Sequence, residues 1–156
     1  MNKLYEIFCR GFQGAFRMAM PILPYRQPEL FYSTSQIIPL LKNKNMTSVL
    51  LVTDECLHKA GVTKGLEEEL KQNGMNCFVY DETRANPTVK NVEEAVKIYQ
   101  ENQCQCLIAF GGGSSMDCAK AVGARIAYPK KEVNQMKGLL RVWRKLPLLV
   151  AVPTTA

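Results

Sequence analysis

The chain has 156 residues, 47% of them hydrophobic and 22% charged, a balance that suits one soluble globular domain. Its net charge of +6 does not read as a nucleic-acid surface. The one basic concentration (Lys130, Lys131, Lys137, Arg141, Arg144, Lys145) is interleaved with Trp143 alone, too little for a stacking platform, and reads as a solvated face with a cofactor phosphate or a partner left open.

No apolar run approaches the length of a membrane span. The six cysteines contain no Cys-x-x-Cys and read as reduced thiols of a cytoplasmic protein rather than as a disulfide framework. In chain order, Leu4, Phe8, Phe12, Ala15 and Ala19 recur at three- and four-residue spacing, which predicts an amphipathic helix ending before Pro21. Glu6, Arg10 and Arg17 interrupt any apolar core and argue against a secretory signal. The expected role of this helix is packing on the parent protein or across a subunit interface, with membrane-surface contact as the alternative. Pro21, Pro24 and Pro28 mark an irregular connector.

Leu30-Phe31-Tyr32 reads as a short edge strand, and Thr34 or Ser35 as the cap of a helix through Ile37, Ile38, Leu40 and Leu41. Val49 to Thr53 is a continuous apolar strand of the kind buried in a parallel sheet. Asp54 ends it. As an N-cap it would start a short helix reaching Gly61; as a carboxylate beyond a strand's carboxyl end it would accept hydrogen bonds from a ribose diol and repel a 2′-phosphate. His58, the only histidine, is expected to be exposed or packed rather than a ligand. Thr63 caps a second helix that stops at Gly74. Cys77 to Tyr80 is the next strand, and Asn86-Pro87-Thr88 is the entry to a helix with Val89, Val92, Val96 and Tyr99 on one face.

Leu107 to Phe110 is a third strand, followed by Gly111, Gly112 and Gly113, which remove every Cβ from a sharp turn. Ser114 and Asp117 match a Ser-x-x-acid helix start, and the small residues Ala119, Ala121 and Gly123 suit a helix packed tightly on a sheet. Such a strand, glycine turn and helix N-terminus can cradle a phosphate; the plainer reading is a tight corner. A P-loop fits poorly because, five residues after Gly111, Met116 and Asp117 stand where its Gly-Lys belongs, and Met116 replaces the last glycine of Gly-x-Gly-x-x-Gly. Tyr128 to Lys145 is polar, with a short helix expected from Met136 to Trp143. Leu148 to Val152 gives the fourth strand.

Alternating strands and helices predict an α/β fold: a Rossmann-like three-layer domain with a parallel sheet over residues 29–156, preceded by a helical extension over residues 1–28. Ligands of such sheets sit outside the carboxyl ends of strands, where Asp54, Asn86, Gly111 to Ser114, Thr154 and Thr155 all fall.

Gly111 to Lys120, the closing Pro153-Thr154-Thr155-Ala156, Val52-Thr53-Asp54 and Asn86-Pro87-Thr88 together resemble the iron-containing (group III) alcohol dehydrogenases, from about Ser48 onward. Where that family often carries a glycine-rich turn, Ser33-Thr34-Ser35 stands instead. The resemblance implies reversible hydride transfer between an alcohol or aldehyde and NAD, with a divalent metal, usually Fe²⁺, polarising the substrate oxygen. It implies that Gly112, Gly113 and Ser114 bind the diphosphate, Thr154 and Thr155 the adenosine part, and Asp54 the adenine ribose. It places Asn86 near the cleft and Asp117 toward the nicotinamide, beside Asp117's competing role in a helix cap. The family's metal ligands are an aspartate and histidines of a helical second domain, which one histidine cannot supply. The chain is therefore expected to be a cofactor-binding fragment, inactive alone. Other readings are a relative such as a glycerol dehydrogenase, or a nucleotide-binding or interaction module that performs no chemistry. Assembly into a homo-oligomer stays open.

Overall fold

The computed structural model describes residues 3–19, 28–138 and 141–154. They belong to two compact units, residues 1–30 and 31–156. The first holds α1 (Lys3–Ala19), the expected amphipathic helix, with Arg17 in its last turn where the helix dipole favours a cation. Phe12 and Met18 are exposed on it. Pro21 and Pro24 of the expected connector lie outside the described residues.

The second unit runs α2 (Ile37–Asn43), β1 (Ser48–Val52), α3 (Glu55–Lys59), α4 (Lys64–Gln72), β2 (Asn76–Tyr80), α5 (Val89–Glu101), β3 (Cys106–Gly111), α6 (Gly113–Ala127) and β4 (Leu148–Pro153). The four strands are parallel in the order β2-β1-β3-β4. Strand alternation sends successive residues to opposite faces, so one apolar run feeds two cores. Leu50, Val52, Leu107 and Ala109 join Val92, Val96 and Val122 of α5 and α6 on one face. Val49, Leu51, Cys106 and Ile108 join Ile38, Leu41, Leu66 and Leu70 of α2 and α4 on the other. Each such Leu, Ile or Val contributes about 1.5–3 kcal/mol by leaving water; the one polar side chain of β1, Ser48, is buried at its start with its hydroxyl donating to the Asn102 carbonyl. This is the α/β, Rossmann-like architecture expected. α6 lies close to the sheet: a Cβ on Gly123 would sit 3.4 Å from Leu107 Cδ1.

Two expected elements are not found among the described residues. Leu30-Phe31-Tyr32 is no strand; the sheet has no neighbour for it, and Leu30 and Tyr32 are exposed. The Tyr32 N–H donates instead to Gln36 Oε1 at 3.0 Å. Ser33, rather than Thr34 or Ser35, caps the 3₁₀ turn Thr34–Gln36 that leads into α2, its hydroxyl accepting from the Ser35 N–H. The helix expected from Met136 to Trp143 is replaced by a 3₁₀ turn, Val133–Met136, and irregular chain over 141–147. Tyr128 gives the reason: its phenol oxygen accepts the N–H groups of Trp143 (2.6 Å) and Arg144 (2.8 Å), holding that backbone in a side-chain anchor.

Candidate functional site

The chain leaves β1 toward β2 on one side and reaches β3 on the other, so the connections diverge between β1 and β3. In open parallel sheets that divergence leaves a crevice beyond the carboxyl ends of the strands. Gly111 is at the tip of β3 with φ +142°, a conformation that side chains resist. A Cβ there would lie 2.6 Å from Ser115 Oγ and 3.2 Å from Leu57 Cδ1. Only glycine lets α3 and α6 close on the strand tip together.

Gly112 is the N-cap of α6, extended, with no side chain to bond the helix. The first-turn N–H groups of Gly113, Ser114 and Ser115 have no acceptor within the helix and point out at its positive end. A Cβ on Gly113 would meet nothing within 4 Å, so this mouth is open. The expected Ser114–Asp117 cap is not formed. The glycine turn starts the helix at Gly113, which puts Asp117 beyond the first turn, exposed and paired with Lys120 at 3.2 Å. The helix start is therefore left without a carboxylate of its own.

The neighbouring tips complete the arrangement. Gly111 pairs with Pro153 of β4, and the Thr154 N–H donates to the Gly111 carbonyl at 3.1 Å. Thr155 lies outside the described residues. Asp54 is the N-cap of α3: one carboxylate oxygen accepts the Leu57 N–H at 3.0 Å, and the other carries no hydrogen bond among the described residues. Its backbone forms an antiparallel bridge with Glu82. Asn86 stands exposed in the β2–α5 loop at φ +58°, with no hydrogen bond to the glycine turn. The structure thus brings Asp54, Gly111 to Ser114 and Thr154 to adjacent strand tips, with Asn86 and Asp117 outside their hydrogen-bonded contacts.

His58 is half-buried on α3 and is held by acids, its Nδ1 2.6 Å from Asp81 Oδ2 and its Nε2 3.8 Å from Glu67 Oε1. Among the described residues no group of three or more His, Cys, Asp or Glu could hold a metal ion, and no helix is long and apolar enough to cross a membrane. The sequence reading missed Ser115, which fills the space beside Gly111, and Asn91, whose side chain ties the start of α5 to β2 and to the Glu82 carbonyl. An Asn three residues after Thr88 was the available signal for a capping box.

Comparison with known proteins agrees with this geometry. The family model of the iron-containing alcohol dehydrogenases matches residues 31–156. The NAD-dependent methanol dehydrogenase of Bacillus methanolicus is 30% identical over 116 residues, 74% of this chain and 30% of that protein. The long-chain primary alcohol dehydrogenase AdhA of Thermoanaerobacter ethanolicus is 32% identical over 155 residues, 99% of this chain and 36% of that one, so its match takes in the N-terminal helix as well. The alcohol dehydrogenase structure from Oenococcus oeni superposes with a TM-score of 0.73 at 29% identity, covering 78% of this chain and 32% of that chain. The chain spans about a third of the length of these relatives. A glycine turn at the divergence of a parallel sheet, matched from residue 31 onward by one family, leaves a single assignment: the chain belongs to the iron-containing alcohol dehydrogenase family.

Proposed function

We propose that residues 29–156 form the NAD-binding domain of an oxidoreductase that moves a hydride between an alcohol and its aldehyde, with residues 1–28 as a helical extension. The observation that carries this is the open first turn of α6, where three main-chain N–H groups without helical partners face outward between the tips of β1, β3 and β4. The residues fit a dinucleotide. Gly111 and Gly112 allow close backbone approach; Gly113 and Ser114 offer amides, and Ser114 a hydroxyl, to the diphosphate. Thr154 and Thr155 flank the adenosine part, and the unbonded oxygen of Asp54 takes the adenine ribose diol. Asn86 lines the cleft, and Asp117 lies toward the nicotinamide side. Bound NAD supplies the hydride acceptor.

Metal chemistry is not assigned to this chain, because its described residues offer no cluster of ligands. The family's iron would therefore be held by ligands other than the described residues. We place the enzyme in the cytoplasm, acting on small alcohols or aldehydes, with assembly into a homo-oligomer left open.

The test is calorimetric titration of the 156-residue chain with NADH, alongside an assay with aldehyde and Fe²⁺. Saturable binding competed by NAD⁺, without turnover, is the expected result. Asp54→Ser keeps an N-cap, so folding stability changes by only a few tenths of a kcal/mol. Loss of a charged ribose acceptor weakens NADH binding by about ten-fold. Absence of NADH binding at millimolar concentration, or robust turnover by the chain alone, would overturn the proposal.

A further inference from the structure

We propose that Glu82 is a second specificity determinant of this cofactor seat, acting beside Asp54 to exclude a dinucleotide that carries a 2′-phosphate. The inference rests on Asp54 as the ribose acceptor and names a residue that the motifs do not contain.

The geometry starts with the isolated antiparallel bridge between Asp54 and Glu82, just past the ends of β1 and β2. Directly opposed residues of an antiparallel pair project to the same face with their Cβ atoms about 4.5–5.5 Å apart. Glu82 is therefore directed to the side on which Asp54 projects. Like charges so placed repel, so the pairing has no stabilising value of its own. What it creates is a doubly negative rim at one end of the glycine crevice.

The rim is held in place. The Glu82 carbonyl accepts the Asn91 side-chain N–H at 3.0 Å, and Asn91 is only 4% exposed, fixed in turn by Thr88 and by the Tyr80 phenol. The Glu82 carboxylate itself is exposed and makes no ion pair or hydrogen bond among the described residues. Its neighbour Asp81 is different: that carboxylate is engaged by His58 at 2.6 Å. Of the two acids at the tip of β2, Glu82 is the one whose charge is left to act on a ligand.

A ribose 2′-hydroxyl can donate to Asp54 and is indifferent to a second carboxylate nearby. A 2′-phosphate brings nearly two negative charges within several ångströms of both acids. At about 7 Å in water-like surroundings, one carboxylate acting on such a phosphate changes affinity by roughly five- to seven-fold. Asp54 and Glu82 together would then discriminate by the product of two such factors.

The test measures Kd for NADH and for NADPH by calorimetry on the full chain, at low salt and again in 0.5 M NaCl, for the natural sequence, Glu82→Gln and Glu82→Lys. The inference expects the NADPH/NADH ratio of Kd values to fall at least roughly five-fold in Glu82→Gln and further in Glu82→Lys. NADH affinity should stay within about two-fold, and the gain should shrink at high salt as the field is screened. A ratio that moves less than two-fold in both variants, with NADH binding intact, overturns the role of Glu82 and leaves the cofactor seat standing. Failure of the natural sequence to bind NADH overturns the seat and this inference together.

Discussion

Gly111 is the residue whose identity the fold depends on most sharply. Its φ of +142° and the 2.6 Å approach of Ser115 Oγ leave no room for a side chain. Gly111→Ala is expected to lower the free energy of unfolding by about 1–3 kcal/mol, read as a shift of the urea midpoint. Gly113→Ala is the control: its Cβ meets open space in the first turn of a helix, so stability should hold. Three consecutive glycines announced the turn in the sequence, as Asp54 announced the cap of α3. What the sequence could not disclose is that Gly111 is reserved for Ser115 and Leu57, because that contact is made through an atom that is missing. Ser114 and Asp117 misled for a related reason: their spacing suits a cap, but the strand tip sets where the helix begins, and Gly112 takes the position.

At the scale of elements, α5 is fixed at its start by a capping box. The Thr88 N–H donates to Asn91 Oδ1 at 3.0 Å, and the Asn91 N–H donates to the Thr88 hydroxyl at 3.3 Å. Asn91 Nδ2 also reaches the Tyr80 phenol and the Glu82 carbonyl, both at 3.0 Å. Asn91→Ala would leave buried groups unpaired and should cost about 1–3 kcal/mol in a urea titration. Thr88→Ala removes only the cap and should cost about 1 kcal/mol. The central strands β1 and β3 were legible because burial on both faces leaves a continuous apolar run, and β2 and β4, only partly buried at the sheet edges, because their apolar residues stand between turn residues. The failures fall where local pattern lacked a partner. Leu30 to Tyr32 has strand composition and no strand beside it, and the segment around Trp143 has helical composition but a backbone taken by Tyr128.

For the molecule as a whole, the two cores predict a marked sensitivity to alkali. Burial pushes the thiols of Cys77 and Cys106 and the phenol of Tyr99 each up to about 12. In the unfolded chain thiols ionise near pH 8.5 and phenols near 10. The folded form then holds protons that the unfolded form releases, so stability is intact below about pH 8.5 and is lost as pH rises toward 12. Urea midpoints should fall steadily from pH 9 to pH 10.5, and the Cys77→Ala, Cys106→Ala double variant should flatten that decline. The parallel α/β class was readable from alternating elements, whereas the order β2-β1-β3-β4 was not: each connection is long enough to reach either side of β1, and only the packed helices decide. The close seating of Gly123 on Leu107 has a distant effect. Ten residues of α helix, about 15 Å, separate it from Gly113, so α6 behaves as a stiff boom whose aim is set at its far end. A methyl at Gly123 would make only ordinary contact with Leu107, but a side chain larger than alanine would press on it and swing the amide-bearing tip off target without removing a single group that touches a ligand.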